Sequence, residues 1–165
     1  ARKDRPLCAK EARVDNLRLA ADQIKRADVV IFAARWKPKA ALALPHTLKY
    51  LKFRPNQRVI VLGNKNFGKI NIRKYLRTAP GKLVKQTNDV PRHVREVNAI
   101  LQKGLKGTRV NFIDQQKVLC DGSDEHCHVF TSNRKLISYD GWHLTESGAR
   151  FAGSLLFRKT LLRGL

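Results

Sequence analysis

Asp28-Val29-Val30-Ile31-Phe32-Ala33-Ala34 is the segment most informative about the fold of this chain. It is a continuous apolar run. It follows the segment from Glu11 to Ala27, in which apolar side chains recur every three or four residues as in an amphipathic helix. An apolar strand of this kind beside a helix is typical of a parallel sheet that is covered on both faces. The stretch therefore predicts a buried strand from Asp28 to Ala34 in an α/β protein.

Later segments repeat the alternation of strand and helix signals. Apolar runs predict two more strands, from Arg58 to Gly63 and from Arg109 to Ile113. Helices are predicted between and after them, over Leu44 to Phe53 with its start at Pro45, Gly68 to Arg77, Pro91 to Lys103, and Thr145 to Leu162. Strands separated by helices imply a doubly wound parallel sheet with right-handed crossovers.

Length and composition predict a single domain over residues 1–165. The chain has 165 residues, 42% of them hydrophobic, so it can bury a core. No apolar run approaches the roughly 20 residues that a membrane-spanning helix needs. The chain begins at Ala1, contains no Met, and has no apolar signal-peptide segment among its first residues. We therefore expect an N-terminally truncated piece of a longer protein.

The charge of the chain is strongly positive. It contains 34 Lys and Arg against 13 Asp and Glu, a formal net charge of +21. Such a field attracts polyanions, which include nucleic acids, anionic glycans and anionic membrane surfaces. The basic residues are scattered along the chain, as on a solvated surface, and no zinc-finger, RNA-recognition or basic-zipper signature accompanies them. We expect no specific nucleic-acid partner, whereas an anionic surface remains a candidate.

A loop near the C-terminus carries residues typical of acyl-transfer chemistry. It reads Tyr139-Asp140-Gly141-Trp142-His143-Leu144-Thr145-Glu146-Ser147-Gly148-Ala149 and enters the last predicted helix, with Thr145 placed to cap it. An Asp three residues before a His matches the general base of a serine hydrolase and the carboxylate that orients it. Asp140 and His143 are therefore the candidate catalytic residues, the alternative being a pair that only caps the helix.

This loop resembles the last conserved block of the SGNH (GDSL-type) hydrolases. It is especially similar to the extracytoplasmic SGNH domains fused to membrane-bound acyltransferases that O-acetylate bacterial surface polysaccharides. Three more segments fit that branch: Asp28 to Trp36, Arg58 to Gly63, and Leu119-Cys120 followed by Cys127. The resemblance implies a flavodoxin-like α/β/α sandwich.

The nucleophile of that family is missing from this chain. It lies in a G-D-S motif after the first strand, and no G-D-S occurs here. The serines considered in its place do not follow a strand on a sharp turn into a helix: Ser123, Ser132, Ser138, Ser147 and Ser154. We therefore expect the first strand and the Ser of a Ser-His-Asp triad to lie upstream, and the chain as given to be catalytically silent.

The function that the resemblance implies is O-acetylation of a cell-surface polysaccharide or lipopolysaccharide sugar. The acyl donor would be delivered by an attached membrane acyltransferase domain, and the acceptor would be a glycan. The location would be periplasmic or otherwise extracytoplasmic, tethered to the inner membrane through the N-terminal region. No metal or organic cofactor is expected. The alternatives are an esterase or deacetylase of the same fold and a non-catalytic, basic polyanion-binding module.

Four further residues are candidates for substrate or oxyanion binding, because active sites of doubly wound sheets lie beyond the C-terminal strand ends. Arg35 and Trp36 follow the first strand, in the A-A-R-W ending similar to the acetyltransferase-linked branch. Arg35 either contacts substrate or stacks on Trp36 at the surface. Asn64 is either a pocket donor or a turn residue with left-handed backbone. Trp142 either stacks on a sugar ring or packs the loop.

Cys120 and Cys127 enclose a short polar loop and leave three alternatives. In the first, they form a disulfide, which would imply an oxidising compartment. In the second, they remain free thiols. With His126 and His128 they could also bind a metal, although the spacing of structural zinc sites is absent. Cys8 would be left to pair with a cysteine outside the chain. The remaining histidines, His46 and His93, are interpreted as structural or solvated.

Overall fold

A computed structural model describes residues 20–164 of the protein. Its helices and strands follow one another as β1 (Val29–Ala33), α1 (Pro38–Tyr50), β2 (Arg58–Leu62), α2 (Ile72–Leu76), α3 (Pro80–Leu83), β3 (Thr87–Asp89), α4 (Arg92–Leu105), β4 (Asn111–Ile113), α5 (Gln115–Leu119), β5 (His126–His128) and α6 (Glu146–Lys159). A 3-10 helix, Leu161–Gly164, ends the described part. Residues 20–26 are helical, in agreement with the helix predicted from Glu11 to Ala27, although the helix ends one residue earlier. Residues 11–19 of that prediction lie outside the described residues.

The three predicted strands form one parallel sheet in the order β1-β2-β4. Val30 is paired with Val59 and Leu62 with Ile113. The strand β4 starts at Asn111 rather than at Arg109. Within the described residues β1 pairs on one side only, so it forms an edge of the sheet.

Helices cover both faces of this sheet, which confirms the predicted α/β/α sandwich. Val59 and Val61 of β2 pack against α1 and α4, in a cluster that includes Leu44, Leu48 and Leu101. Ile60, between those two valines, faces the other side and packs with Ile113 and Leu162. Successive side chains of a strand point to opposite faces, so a strand buried on both faces has to be apolar throughout.

A second group of elements was not predicted from the sequence. The strands β3 and β5 form a small antiparallel sheet in which Asn88 is paired with Cys127. Each strand has three residues, and they are mostly polar (Thr-Asn-Asp and His-Cys-His), so neither carries an apolar alternation. The neighbouring core gathers buried residues from distant segments: Phe67, Val90, Val94, Leu119, Cys120, Cys127, Ile137, Ala152 and Leu155.

Several predicted helix boundaries were wrong. The helix α1 begins at Pro38 and contains Pro45, the residue at which the sequence predicts its start. A proline is favoured at the first helical position, because no intrahelical bond is lost there, whereas an interior proline normally disrupts a helix. The helical segment expected from Gly68 is confined to α2, and the last helix ends at Lys159 before the 3-10 turn.

None of the helices in the described part of the chain is long and apolar enough to cross a membrane.

Candidate active site

The rim at the C-terminal ends of β1 and β2 is tied together by Asn64 and Trp36. Asn64 Oδ1 accepts a hydrogen bond from the Trp36 backbone N at 2.8 Å, and its Nδ2 donates to the Trp36 carbonyl at 2.9 Å. Trp36 Nε1 donates to the Leu62 carbonyl at 2.8 Å. Asn64 is buried and its φ is not positive, so the interpretation as a left-handed turn residue was wrong.

A second polar bridge under the rim was not recognised in the sequence. Asn98 of α4 accepts from the Asn64 backbone N at 2.7 Å, and its Nδ2 donates to the Asn64 carbonyl and to Asp114 Oδ1, both at 2.9 Å. Burial raises the pKa of the Asp114 carboxyl. The sequence does contain one indication of this role for Asn98: its amide lies on the apolar face of α4, beside Val94 and Leu101. A polar group that is buried there needs a hydrogen-bond partner.

The Asp140 carboxylate makes three hydrogen bonds within its own loop. Its Oδ1 accepts from the backbone N atoms of Trp142 at 2.8 Å and of His143 at 2.7 Å, and its Oδ2 lies 2.6 Å from His143 Nδ1. The bond from the His143 backbone, followed by the bond from its ring, lowers the pKa of Asp140 to about 2. Because Nδ1 of His143 is hydrogen-bonded to Asp140, Nε2 is the ring nitrogen that is available to a reacting group.

The loop that carries this pair is tied to the body of the protein. Ser138 Oγ donates to the His143 carbonyl at 2.6 Å and accepts from the Gly141 backbone N at 2.9 Å. Phe67 N donates to the Gly141 carbonyl at 2.9 Å. Gly141 has a φ of +90°, and a Cβ there would clash with the Gly68 carbonyl oxygen, so this turn requires glycine.

Lys65 anchors the same loop from the end of β2. Its Nζ donates to the Trp142 carbonyl at 2.7 Å, across 77 residues of sequence. Burial of the ammonium group lowers the pKa of Lys65, and the nearby Asp140 carboxylate opposes that shift. Lys65 was not among the predicted site residues, because one more lysine in a chain of this charge carries no local signal.

Aromatic stacking sets the position of Trp142. Arg35 Cζ lies 4.0 Å from the centroid of the Trp142 ring, and the His93 ring stacks on Trp142 with the centroids 5.9 Å apart. Arg35 therefore stacks on Trp142, and the alternative in which it stacks on Trp36 was wrong. Tyr139 stacks on the His143 ring at 5.7 Å.

These side chains line a cleft of about 300 Å³ at the rim. The polar and aromatic part of its wall consists of Arg35, Asn64, Lys65, Gln115, Trp142 and His143. Trp36 is absent from this lining, since it points back to Leu62. The cleft thus combines an oriented imidazole with two cationic side chains and an aromatic ring. Its lining, taken over the described residues, contains no serine.

Cys120 and Cys127 form a disulfide, so the free-thiol and metal alternatives for this pair were wrong. Gln116 lies beside it, fully buried, and donates from Nε2 to Cys120 Sγ at 2.8 Å and to the Asn66 carbonyl at 3.0 Å. The disulfide loop is thereby joined to the segment after β2. Cys8 lies outside the described residues.

Comparison with known proteins identifies the family. The family described as "SGNH domain (fused to AT3 domains)" matches residues 2–158. The chain belongs to this family.

A solved structure supports the SGNH fold. The protein is similar to the periplasmic domain of a lipopolysaccharide acetyltransferase from Salmonella ser. Paratyphi A, with a TM-score of 0.61 and 21% sequence identity. The likeness covers 86% of this SGNH chain and 60% of that chain. No curated protein sequence matches the chain.

Proposed function

We propose that this SGNH chain is the C-terminal part of an acyl-transfer domain that O-acetylates a sugar of a cell-surface polysaccharide or lipopolysaccharide. The observation that carries the proposal is the Asp140–His143 pair, with 2.6 Å between Oδ2 and Nδ1, at the rim of a parallel sheet. A carboxylate bound to Nδ1 fixes the tautomer in which Nε2 accepts a proton. Family membership and the Salmonella neighbour support the same chemistry.

The nucleophile in this proposal is a serine on a strand upstream of the chain. In the described residues β1 has a free edge, and a further parallel strand on that edge would end at the same rim as His143. A serine after that strand would face the cleft between Arg35 and His143. The domain of residues 1–165 is accordingly proposed to be truncated at its N-terminus.

His143 acts as base and then as acid in both half-reactions. The serine oxygen attacks the acyl carbon of the donor while its proton passes to His143 Nε2, and the imidazolium then protonates the leaving group. In the second half, Nε2 takes the proton of a sugar hydroxyl, the sugar oxygen attacks the acyl-serine, and the serine recovers a proton. Asp140 stabilises the imidazolium each time.

The cations and the aromatic ring of the cleft suit a glycan acceptor. Trp142 offers a flat apolar face of the kind that packs on sugar rings. Arg35, held at 4.0 Å over that ring, can donate to sugar or carboxylate oxygens or to a developing negative charge. Asn64 is bonded to Trp36 through both amide atoms, so we assign it to holding the rim.

In this proposal, an acyltransferase domain attached to the chain accounts for the source of the acyl groups and for the cellular location. The family is one of SGNH domains fused to AT3 domains, and the Salmonella neighbour is a periplasmic domain. We place this chain outside the cytoplasm, tethered to the inner membrane through its N-terminal region and receiving acyl groups from an attached acyltransferase domain. A disulfide suits such an oxidising compartment.

The decisive experiment is an acetylation assay of the full-length protein, with His143→Ala and the upstream Ser→Ala as variants. Both should lose glycan acetylation while the protein remains folded. Release of free acetate in place of transfer would identify an esterase or deacetylase. Full activity of the His143→Ala variant, or a natural chain without an upstream strand and serine, would overturn the acyl-transfer proposal.

The second candidate is a basic polyanion-binding module without catalysis. The observation in its favour is the net charge of +21, with no Asp or Glu between Asp28 and Asp89. It predicts binding to anionic polymers that weakens steeply with salt and does not change in His143→Ala. A salt titration of polymer binding, run with the acetylation assay on the unmodified protein and on His143→Ala, separates the two candidates.

A further inference from the structure

A groove with an apolar floor lies at the end of the sheet opposite to the cleft of His143. It is formed by the C-terminal ends of α1 and α4 together with the residues before β4. Two adjoining clefts of about 400 Å³ and 520 Å³ make up this basal groove, and both include Leu105 and Val110. Pro45, Leu48 and Phe53 complete the apolar wall of the first cleft.

The rim of the basal groove is cationic. Lys49, Lys52 and Arg109 line the first cleft, and Lys103 and Lys106 line the second. None of the five forms an ion pair with a carboxylate among residues 20–164. The sequence has no Asp or Glu between Asp28 and Asp89 or between Glu96 and Asp114, so the surrounding surface is free of acidic side chains from those segments.

An exposed aromatic ring stands beside these cations. Tyr50, the last residue of α1, keeps 80% of its surface exposed and follows Lys49 directly. Tyrosine is enriched at membrane–water interfaces, because its ring enters the apolar layer while its hydroxyl stays hydrated. Lysine likewise extends its methylene chain along apolar surface while its ammonium contacts headgroups.

We propose that the basal groove binds the surface of a bilayer that contains anionic phospholipid. Lysines and arginines near such a surface are attracted to its negative charge, and the apolar floor together with Tyr50 adds burial that a purely polar polyanion would not provide. The groove lies before the N-terminal ends of the strands and His143 lies beyond their C-terminal ends. Docking by the groove therefore leaves the cleft of His143 open to soluble ligands, and the inference does not depend on acyl transfer.

The experiment measures co-sedimentation of the 165-residue chain with vesicles, at a concentration at which the chain alone stays in the supernatant. Vesicles of phosphatidylcholine mixed with phosphatidylglycerol are compared with vesicles of phosphatidylcholine alone. Because the whole chain is basic, the groove variant Lys49→Glu/Lys52→Glu needs a control with the same change of charge. The control variant is Lys82→Glu/Lys85→Glu. Its two residues are also exposed and three positions apart, and they lie in α3 and just after it. Circular dichroism verifies that each variant is folded.

The expected result is binding to the anionic vesicles that falls by at least about tenfold in the groove variant and by less than about twofold in the control variant. Tyr50→Ala should weaken the binding to anionic vesicles that is measured in added salt. Leu76→Ala is the control, because it removes an equally exposed apolar side chain on α2, and it should not weaken that binding. Equal losses in the two charge variants, equal binding to neutral vesicles, or no binding at all would overturn the proposal. Loss of heparin binding alone in the groove variant would also overturn it, in favour of a glycan.

Discussion

At the scale of single residues, the orientation of His143 depends on one carboxylate. Asp140 accepts two backbone bonds from its own loop and the Nδ1 bond from His143. The backbone bonds fix the carboxylate, and the carboxylate fixes the ring. A second Asp–His contact, Asp89 with His126 Nδ1 at 2.9 Å, lies in the small antiparallel sheet and lacks those backbone donors. It therefore serves as a natural control.

For the proposed acyl transfer, we expect Asp140→Asn to lower the acetylation turnover of the full-length protein by about 10³- to 10⁴-fold, because an amide at this position favours the wrong imidazole tautomer. The substitution Asp89→Asn should leave the turnover unchanged. The measurement is the rate at saturating glycan for both variants. Comparable turnover in Asp140→Asn and the unmodified protein would remove Asp140 from the mechanism.

The low pKa of Asp140 also predicts a pH-dependent contribution to stability. Its folded pKa of about 2 lies below the ordinary value of 3.8, so ionised Asp140 stabilises the fold above about pH 4. This contribution is lost as the pH falls from about 4 to 2. The melting temperature of the unmodified protein should exceed that of Asp140→Asn at neutral pH, and the difference should shrink over that window. A difference that is constant down to pH 2 would contradict the prediction.

The sequence was sufficient to locate Asp140 and His143, because their spacing and the residues around them are local. It did not identify Lys65 or Asn98. Their partners are the Trp142 carbonyl and the Asn64 backbone, which are 77 and 34 residues away. Nothing in the segment around a lysine or an asparagine indicates which distant carbonyl it will contact.

At the scale of secondary-structure elements, the first turn of α6 determines where the loop of Asp140 and His143 ends. Thr145 caps the helix by accepting from the Gly148 N at 3.0 Å, as the sequence predicted. A Cβ on Gly148 would clash with the Ile137 carbonyl oxygen, so the helix can approach residue 137 only with glycine there. Gly153, further along the same helix, has open space around it.

The two glycines of α6 should respond oppositely to alanine. Gly148→Ala should lower the free energy of unfolding by about 1–3 kcal/mol or more, since backbone has to shift to relieve the clash. Gly153→Ala should raise it by about 0.5–1 kcal/mol, since alanine loses less backbone entropy in a helix. Urea unfolding of the two variants measures both effects. Equal values would show that the helix does not depend on this close approach.

The disulfide links α5 to β5 and should contribute about 2–3 kcal/mol of stability, the amount expected for a cross-link that closes a short loop. Reduction, or Cys120→Ser with Cys127→Ser, should lower the urea midpoint accordingly. A reduced protein as stable as the oxidised one would contradict the prediction.

At the scale of the whole molecule, β1 is an outer strand of the sheet, and in the part of the chain that the structure describes one of its edges has no partner strand. Ile31, in the middle of that strand, keeps 45% of its surface exposed. Unpaired backbone groups and apolar side chains on an edge promote association with other chains. If the proposed upstream strand pairs with this edge, it supplies partners for the unpaired backbone groups of β1.

We therefore expect the 165-residue chain to associate as its concentration rises, and a version extended by its natural upstream sequence to stay monomeric and to melt at a higher temperature. Analytical ultracentrifugation and thermal unfolding compare the two. A matched extension with scrambled sequence tests whether added length alone has an effect. If the natural extension changes neither property, the edge of β1 is not where the upstream segment packs.

Sequence patterns were sufficient to predict the three parallel strands, the longer helices that cover them, the Thr145 cap and the contact of Asp140 with His143. Each of these depends on apolar periodicity or on residues a few positions apart. The folded chain was needed to show that Asn64 binds the backbone of Trp36, that Arg35 stacks on Trp142, and that two short polar strands pair around the disulfide. The physical reason is that side-chain partners across a rim are chosen by packing of the whole chain, whereas periodicity records only which face of an element is buried.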